Sequence, residues 1–140
     1  MYENYSRQAL PNKDYRGLLG SCLCVFNNNT AFIIENILRN DTNNIYSWSE
    51  LIDLTSGELL KPIKETISKY SNTEITKLFE KIFVKRNRII HSFQITHNNE
   101  QILATKDKQN KQFIITKDYL LDFIKENEEL SIKLHNFRGY

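Results

Sequence analysis

Cysteine is scarce in this sequence of 140 residues: the chain has two, Cys22 and Cys24. They lie two residues apart in an apolar stretch with helical spacing, which directs their side chains to different faces of a helix. Neither has a second Cys or a His at the spacing of a metal site. We therefore expect two buried free thiols, and neither a metal centre nor a redox centre.

Several other patterns are also absent. The sequence contains neither G-x-x-x-x-G-K-[ST] nor G-x-G-x-x-G, which argues against nucleotide binding by a phosphate loop. Residues 1–10 are polar, and no stretch reaches about 18 apolar residues, so neither a signal peptide nor a membrane span is predicted. Glu35, Glu50 and Asp53 lack the spacing of a two-carboxylate mechanism. We expect a cytoplasmic protein without a cofactor and without a membrane contact.

The basic residues are distributed unevenly along the chain. The formal net charge of +2 does not by itself indicate a nucleic-acid-binding protein. Within twelve residues, however, there are five basic side chains against the single acidic side chain of Glu80: Lys77, Lys81, Lys85, Arg86 and Arg88. A local basic patch is the minimum that phosphate contact requires. The alternative interpretation is a solvated helix face.

At this length the chain is most simply one domain with its own core. Apolar positions with helical spacing predict four helices in its first two thirds. After an N-terminal tail of residues 1–13, we expect helices over residues 14–39 with Asp14 as the N-cap, from Ser47 or Ser49 to Leu54, over residues 57–70, and over residues 73–92. Residues 27–30 are expected to kink or break the first helix.

The pattern changes after residue 92. β-Branched residues occur over residues 93–96, 101–105 and 112–116, and polar turns separate them, which predicts a small hairpin or a three-stranded meander within residues 93–116. Helical spacing then returns over residues 117–136. The predicted fold is a mainly α helical bundle with a small β excursion before its last helix. The end of the chain, residues 136–140, is either a frayed tail or a segment that folds back over the bundle.

The segment Arg86-Asn87-Arg88-Ile89-Ile90-His91 is the strongest functional candidate. An imidazole can take a proton from a ribose 2′-OH near neutral pH. A guanidinium can hold a phosphate and the charge that develops on it in the transition state. The alternative is structural, because cations near a helix C-terminus offset the macrodipole by roughly 0.3–1 kcal/mol each.

The spacing of this segment creates a geometric problem. On a helix, Arg86 falls within the apolar stripe of the central helix, and His91 points about 140° away from it. Asn87 precedes His91 by four residues and is therefore predicted to orient the imidazole. A compact site that contains both Arg86 and His91 requires either a frayed helix end or a second copy of the helix.

The string from Arg86 to His91 resembles the R-N-x-x-x-H form of the R-x4-6-H motif of HEPN domains. The resemblance covers the bundle from about Asp14 to Ser92 and the last helix, and it implies a HEPN-like up-and-down bundle. Many members of that family are metal-independent endoribonucleases of toxin–antitoxin, phage-defence and RNA-decay systems, and their dimers bring two motifs together. Some continue as H-x-Y, with a tyrosine that a partner nucleotidyltransferase modifies. Here Phe93 stands at that position, so this modification cannot occur.

The resemblance implies RNA as the substrate, a homodimer, and an antitoxin or a nucleotidyltransferase as a further partner. His91 would deprotonate the 2′-OH or reprotonate the leaving oxygen, Arg86 would bind the scissile phosphate, and Asn87 would orient His91. Lys85 and Arg88 would hold flanking phosphates. The alternative is a non-catalytic dimerisation or adaptor module, in which Arg86 is a structural cation beside a carboxylate or a helix C-terminus.

The central helix also predicts the assembly. Phe83, Val84 and Ile90 lie off its main apolar stripe, so the helix is apolar on most of its circumference. A helix of this kind is buried on several sides. We therefore expect a two-fold symmetric dimer whose interface includes the C-terminal half of this helix and brings both copies of Arg86, Asn87 and His91 together.

Overall fold

Five α-helices and two small antiparallel sheets form the part of the chain that the computed structural model describes, residues 2–139. The helices are α1 (Lys13–Arg39), α2 (Trp48–Ile52), α3 (Ser56–Glu65), α4 (Glu74–Ile90) and α5 (Lys117–Arg138). The strands are β1 (Tyr2–Glu3), β2 (Gln8–Ala9), β3 (Phe93–His97), β4 (Glu100–Lys106) and β5 (Gln112–Ile114). The mainly α fold class is confirmed.

The two longest helices, α1 and α5, run side by side in the same direction. The Sγ atom of Cys22 donates to the carbonyl of Leu120 at 3.5 Å, and farther along both helices Asn29 contacts Asn127. α4 runs opposite to α5, since Lys133 near the end of α5 lies 3.2 Å from Glu74 at the start of α4. The core lies among these three helices, where Phe26 stacks on Phe79 with ring centroids 5.9 Å apart.

The predicted interruption of the first helix at residues 27–30 is wrong, because α1 is continuous from Lys13 to Arg39. The buried amide of Asn29 donates to the backbone oxygen of Asn127 at 2.9 Å and to its side-chain oxygen at 3.0 Å. Asn29 therefore bonds to a neighbouring helix and does not compete with its own backbone. The N-cap of α1 is Asn12, which accepts from the amide of Tyr15, and not Asp14 as predicted.

The second and third helices are shorter than predicted. α2 follows Ser47, whose hydroxyl caps it, and ends at Ile52. α3 starts with a capping box between Thr55 and Glu58 and ends at Glu65. The next residue, Thr66, donates its hydroxyl to the carbonyl of Pro62 at 2.6 Å, and a short 3₁₀ turn over Ser68–Tyr70 follows. This local hydrogen bond ends the helix before residue 70.

The N-terminal segment is more ordered than the predicted tail of residues 1–13. Its described part forms the β1–β2 hairpin, in which Tyr2 pairs with Ala9. Arg16 of α1 holds this hairpin through an ion pair with Glu3 at 2.8 Å. Met1 lies outside the described residues.

The predicted three-stranded meander is confirmed, in the order β3-β4-β5. Asn98 and Asn99 have positive φ values of 52° and 62° and form the two-residue turn between β3 and β4, as hairpin geometry requires. The meander is tied to α1 by Tyr15, whose hydroxyl donates to the carbonyl of Ile115 at 2.6 Å and accepts from the amide of Leu103 at 3.3 Å. Desolvation by burial raises the pKa of Tyr15.

One further expectation, the burial of both cysteine thiols, needs correction. Cys22 is buried, and desolvation raises its pKa to about 11, but Cys24 is exposed. By length and composition α1 is also apolar enough to cross a membrane, whereas the sequence predicts no such span. Core helices pass the same test, and Ile33, Ile34 and Ile37 of α1 are fully buried within the bundle.

The end of the chain continues α5 and does not form a frayed tail. α5 extends to Arg138, where Gly139 adopts a positive φ of 96° at its C-cap. Phe137 packs against the core, and Arg138 forms an ion pair with Glu35 of α1 at 2.9 Å. The segment therefore folds against the bundle, and Tyr140 lies outside the described residues.

Candidate functional site

The segment from Arg86 to His91 forms the last turns of α4. The helix extends to Ile90, and His91 is its C-cap, with a backbone N–H that donates to the carbonyl of Asn87 at 2.9 Å. The helix end does not fray, so the angular separation of Arg86 and His91 is kept in the folded protomer. A frayed helix end, one of the two arrangements that would bring Arg86 and His91 into one compact site, is therefore not observed.

Arg86 is held by an aromatic ring and two neutral oxygens. Its guanidinium carbon lies 4.6 Å from the ring centroid of Phe26 on α1, and Nη2 donates to Ser56 Oγ at the start of α3 at 3.2 Å. The Nε atom donates to Asn87 Oδ1 at 3.1 Å. Burial lowers the pKa of Arg86 by desolvation, although a guanidinium stays protonated at neutral pH.

No carboxylate compensates the charge of Arg86 among residues 2–139. A half-buried cation without an ion-pair partner is costly. The two hydrogen bonds to protein use two of the five N–H groups that a guanidinium carries. Arg86 can therefore accept an anion without first breaking an ion pair.

Asn87 does not orient the imidazole of His91 within one protomer, contrary to the prediction. Its side-chain oxygen accepts from Arg86, its immediate neighbour, and its link to His91 is through the backbone alone. The physical reason is that Nε of Arg86, on the adjacent residue, donates to the amide oxygen of Asn87. Asn87 thus fixes the guanidinium of Arg86.

His91 lies at the surface with its side chain exposed. Its imidazole has no hydrogen-bond partner among the described residues. Ile90, between Arg86 and His91 around the helix, is 49% exposed. The protomer therefore presents His91, the candidate base, and Arg86, the candidate phosphate ligand, on different sides of an apolar side chain.

The predicted phosphate ligand Lys85 is already engaged. Its ammonium group forms an ion pair with Glu126 of α5 and lies 5.7 Å from the ring centroid of Tyr119. Lys81 lies 3.4 Å from the other oxygen of the same carboxylate. Because one carboxylate, that of Glu126, pairs with both lysines, this part of the basic patch is partly neutralised within the fold, and Lys85 is not a free cation.

Arg88 connects α4 to the meander. Its Nη1 atom donates to the carbonyl of Lys106, the last residue of β4, at 2.6 Å. Beside this contact, a groove of about 430 Å³ runs between α4 and the β4–β5 turn. It is lined by Phe83, Val84, Asn87 and Arg88 of α4, by residues 107–109 of the turn, and by Phe113 of β5. Sequence reasoning missed this groove, and the lysine-rich turn of residues 106–111 was the signal that pointed to it.

A larger concave region lies elsewhere. A groove of about 770 Å³ between α1, α2 and α5 has Phe32, Trp48 and His135 in its walls and contains none of the predicted site residues. In the described part of the chain, no three His, Cys, Asp or Glu side chains are grouped so that they could hold a metal ion. His97 is exposed, and the ring of His135 packs at a tilt of 54° against that of Phe32, with ring centroids 4.7 Å apart.

No family model, no curated protein and no solved structure matches this chain. Its function is therefore argued from the chemistry and geometry of the site itself.

Proposed function

We propose that this chain is a metal-independent endoribonuclease of the HEPN type, a cytoplasmic homodimer that acts in a toxin–antitoxin or phage-defence setting. The observation that carries the proposal is the state of Arg86. It is a half-buried cation without a carboxylate partner among residues 2–139, held by Phe26, Ser56 and Asn87. An exposed imidazole, that of His91, lies five residues farther along the same helix.

The chemistry assigned to these groups is transesterification followed by product release. The imidazole of His91 accepts the proton of a ribose 2′-OH, and the 2′-oxygen attacks the adjacent phosphorus. The bond from phosphorus to the 5′-oxygen breaks, and that oxygen takes a proton from a protonated His91 imidazole. Arg86 donates N–H groups to the phosphate oxygens, where negative charge develops. The products are a 2′,3′-cyclic phosphate and a 5′-OH.

A dimer supplies the geometry that one protomer lacks. Arg86 and His91 point about 140° apart on one straight helix, so they meet across a scissile phosphate only if two helices face each other. Ile90, which lies between them, is 49% exposed, and Phe93, just past the end of the helix, is 41% exposed. Around a two-fold axis each of these residues lies near its own copy, and a bound phosphate separates the two arginines.

We expect Ile90→Asp to convert the dimer into a monomer and to abolish cleavage. Ile90 is half exposed, so the protomer should keep its thermal stability, while the interface acquires two carboxylates close to the axis. The dissociation constant should rise at least tenfold, which corresponds to about 1.4 kcal/mol. Light scattering at micromolar concentration, combined with an RNA cleavage assay, measures both effects.

Ile132→Asp is the matched control, because Ile132 of α5 is 52% exposed and lies on a different helix. It should remain dimeric and active. A wild-type protein that is monomeric at micromolar concentration, or a monomeric Ile90→Asp variant with full activity, would contradict the composite site.

A non-catalytic dimerisation or adaptor module is the second candidate. The observation that favours it is also made at Arg86, whose contacts with Phe26 and Ser56 join α4 to α1 and α3. On this alternative, the guanidinium stabilises the packing of the bundle and binds no phosphate. The two candidates differ in what a lysine at position 86 does to stability and to activity.

A further inference from the structure

The groove between α4 and the β4–β5 turn is a defined surface and not a gap beside a loose loop. Arg88 fixes the end of β4 through the carbonyl of Lys106. Within the turn, one carboxylate oxygen of Asp107 accepts from the backbone amides of residues 109 and 111, both at 2.9 Å. Lys106 donates to Asn110 Oδ1 at 2.6 Å. The bond from Arg88 ties the end of β4 to α4, and the other three bonds are internal to the turn.

The groove lies on the same face of α4 as His91. Val84, Asn87 and Arg88 precede His91 by seven, four and three residues, and residues at these spacings lie on one helix face, with neighbouring Cβ atoms about 5–6 Å apart. Asn87 also lines the groove while its side-chain oxygen holds Arg86. The groove therefore lies between the meander and the face of α4 that carries the candidate base.

The lining combines the three features by which proteins hold a nucleotide of a single strand. Phe83 and Phe113 supply aromatic surface for a base. Asn87 and Gln109 offer amide groups for hydrogen bonds to base edges. Their neighbours in the same lining, Arg88 and Lys108, are cations that fit a phosphate.

The charge of the groove favours an anion. Asp107 is its one carboxylate among the lining residues that the structure describes, and one of its oxygens is occupied by backbone amides of its own turn. Lys106, Lys108 and Lys111 surround it in the sequence. The volume of about 430 Å³ falls within the range of ligand sites.

We propose that this groove binds one nucleotide of single-stranded RNA, with its base against Phe113 and its phosphate between Arg88 and Lys108. The inference rests on the proposed function only in placing this nucleotide next to the cleaved bond. The β-meander is then the substrate-recognition element of the protein, which gives the excursion at residues 93–116 a role in selecting where the RNA is cut.

The test measures binding separately from cleavage. In the full-length His91→Ala variant, which should not cut RNA, fluorescence anisotropy reports the affinity for a labelled single-stranded 12-mer. Adding Phe113→Ala should weaken binding about 5- to 100-fold, the range expected for loss of one base–aromatic stack. Phe113→Tyr keeps the stacking surface and should restore most of the affinity. Tyr70→Ala, which removes an exposed ring in the 3₁₀ turn before α4, is the control and should bind normally.

A second variant, Lys108→Gln, tests the phosphate contact without altering Phe113 or strand β5. Lys108 is exposed, so Lys108→Gln should fold normally. It should make the negative slope of log affinity against log salt concentration shallower by about 0.7, the change expected when one phosphate contact on a single strand is lost. A purely structural role for the turn would leave this slope unchanged.

The outcomes separate this inference from the nuclease proposal. If RNA binds but neither Phe113→Ala nor Lys108→Gln alters affinity or salt slope, the groove assignment is wrong and the nuclease stands. If both variants behave as expected but the wild-type protein cuts no RNA, the groove assignment stands and the nuclease falls. Absence of RNA binding would overturn the groove assignment. Loss of the dimer in Phe113→Ala would also overturn it, because a second copy of the chain would then cover the groove.

Discussion

Replacing His91 by alanine should lower the rate of RNA cleavage by about 10²–10⁴-fold, the usual contribution of a general base. The side chain is exposed and makes no hydrogen bond to the described part of the protein, so the free energy of unfolding should stay within about 0.5 kcal/mol of the wild-type value. Initial cleavage rates on a fluorogenic RNA and thermal melts of both proteins measure the two quantities.

His97→Ala provides the matched control, since His97 is also exposed and lies at the end of β3, away from the end of α4. It should cleave at the wild-type rate. Full activity in His91→Ala would remove the assigned base, and equal losses in both histidine variants would show that the assay reports something other than a positioned imidazole.

Replacing Arg86 by lysine should lower cleavage by about 10²–10³-fold, the usual cost of losing one donor to a developing charge. Lysine keeps the positive charge near Phe26 but lacks the planar fork that binds phosphate oxygens in pairs. The thermal stability should change little, because a cation remains over the ring and the two bonds that are lost are to neutral oxygens, those of Ser56 and Asn87. Cleavage rates and denaturant unfolding curves test both statements.

Ser56→Ala separates the two roles of Arg86. It removes the hydrogen bond between the guanidinium and α3 but leaves the guanidinium in place. If Arg86 binds the phosphate, the Ser56→Ala variant should cleave RNA within about tenfold of the wild-type rate, because a single neutral hydrogen bond contributes about 0.5–1.5 kcal/mol. If Arg86→Lys instead unfolds several kcal/mol more easily and no RNA binding is measurable, the adaptor module is the better account.

The helices that position the site could be predicted from local pattern. The period of apolar residues gives α4 and α5 to within a few residues, and the same period places Arg86 and His91 on different faces. The β-branched runs separated by polar turns give the three strands of the meander. These features depend on neighbours in sequence, so a single chain contains enough information for them.

The errors at Asn29 and Lys85 and the missed groove arise where a distant residue decides. Asn29 continues α1 because Asn127, 98 positions away, accepts its hydrogen bonds. Lys85 resembles a free phosphate ligand until Glu126, 41 positions away, pairs with it. The groove beside Arg88 exists because residue 106 lies next to α4. Such contacts carry no periodic signal in the sequence.

Cleavage of RNA in the presence of EDTA, followed by identification of the product ends, tests the central claim most directly. Wild-type protein should cut a single-stranded RNA at neutral pH with excess EDTA, leave 2′,3′-cyclic phosphate and 5′-OH ends, and fail on the same RNA with a 2′-deoxy sugar at the cleaved position. No cleavage, cleavage that EDTA abolishes, or products with a 5′-phosphate would contradict it.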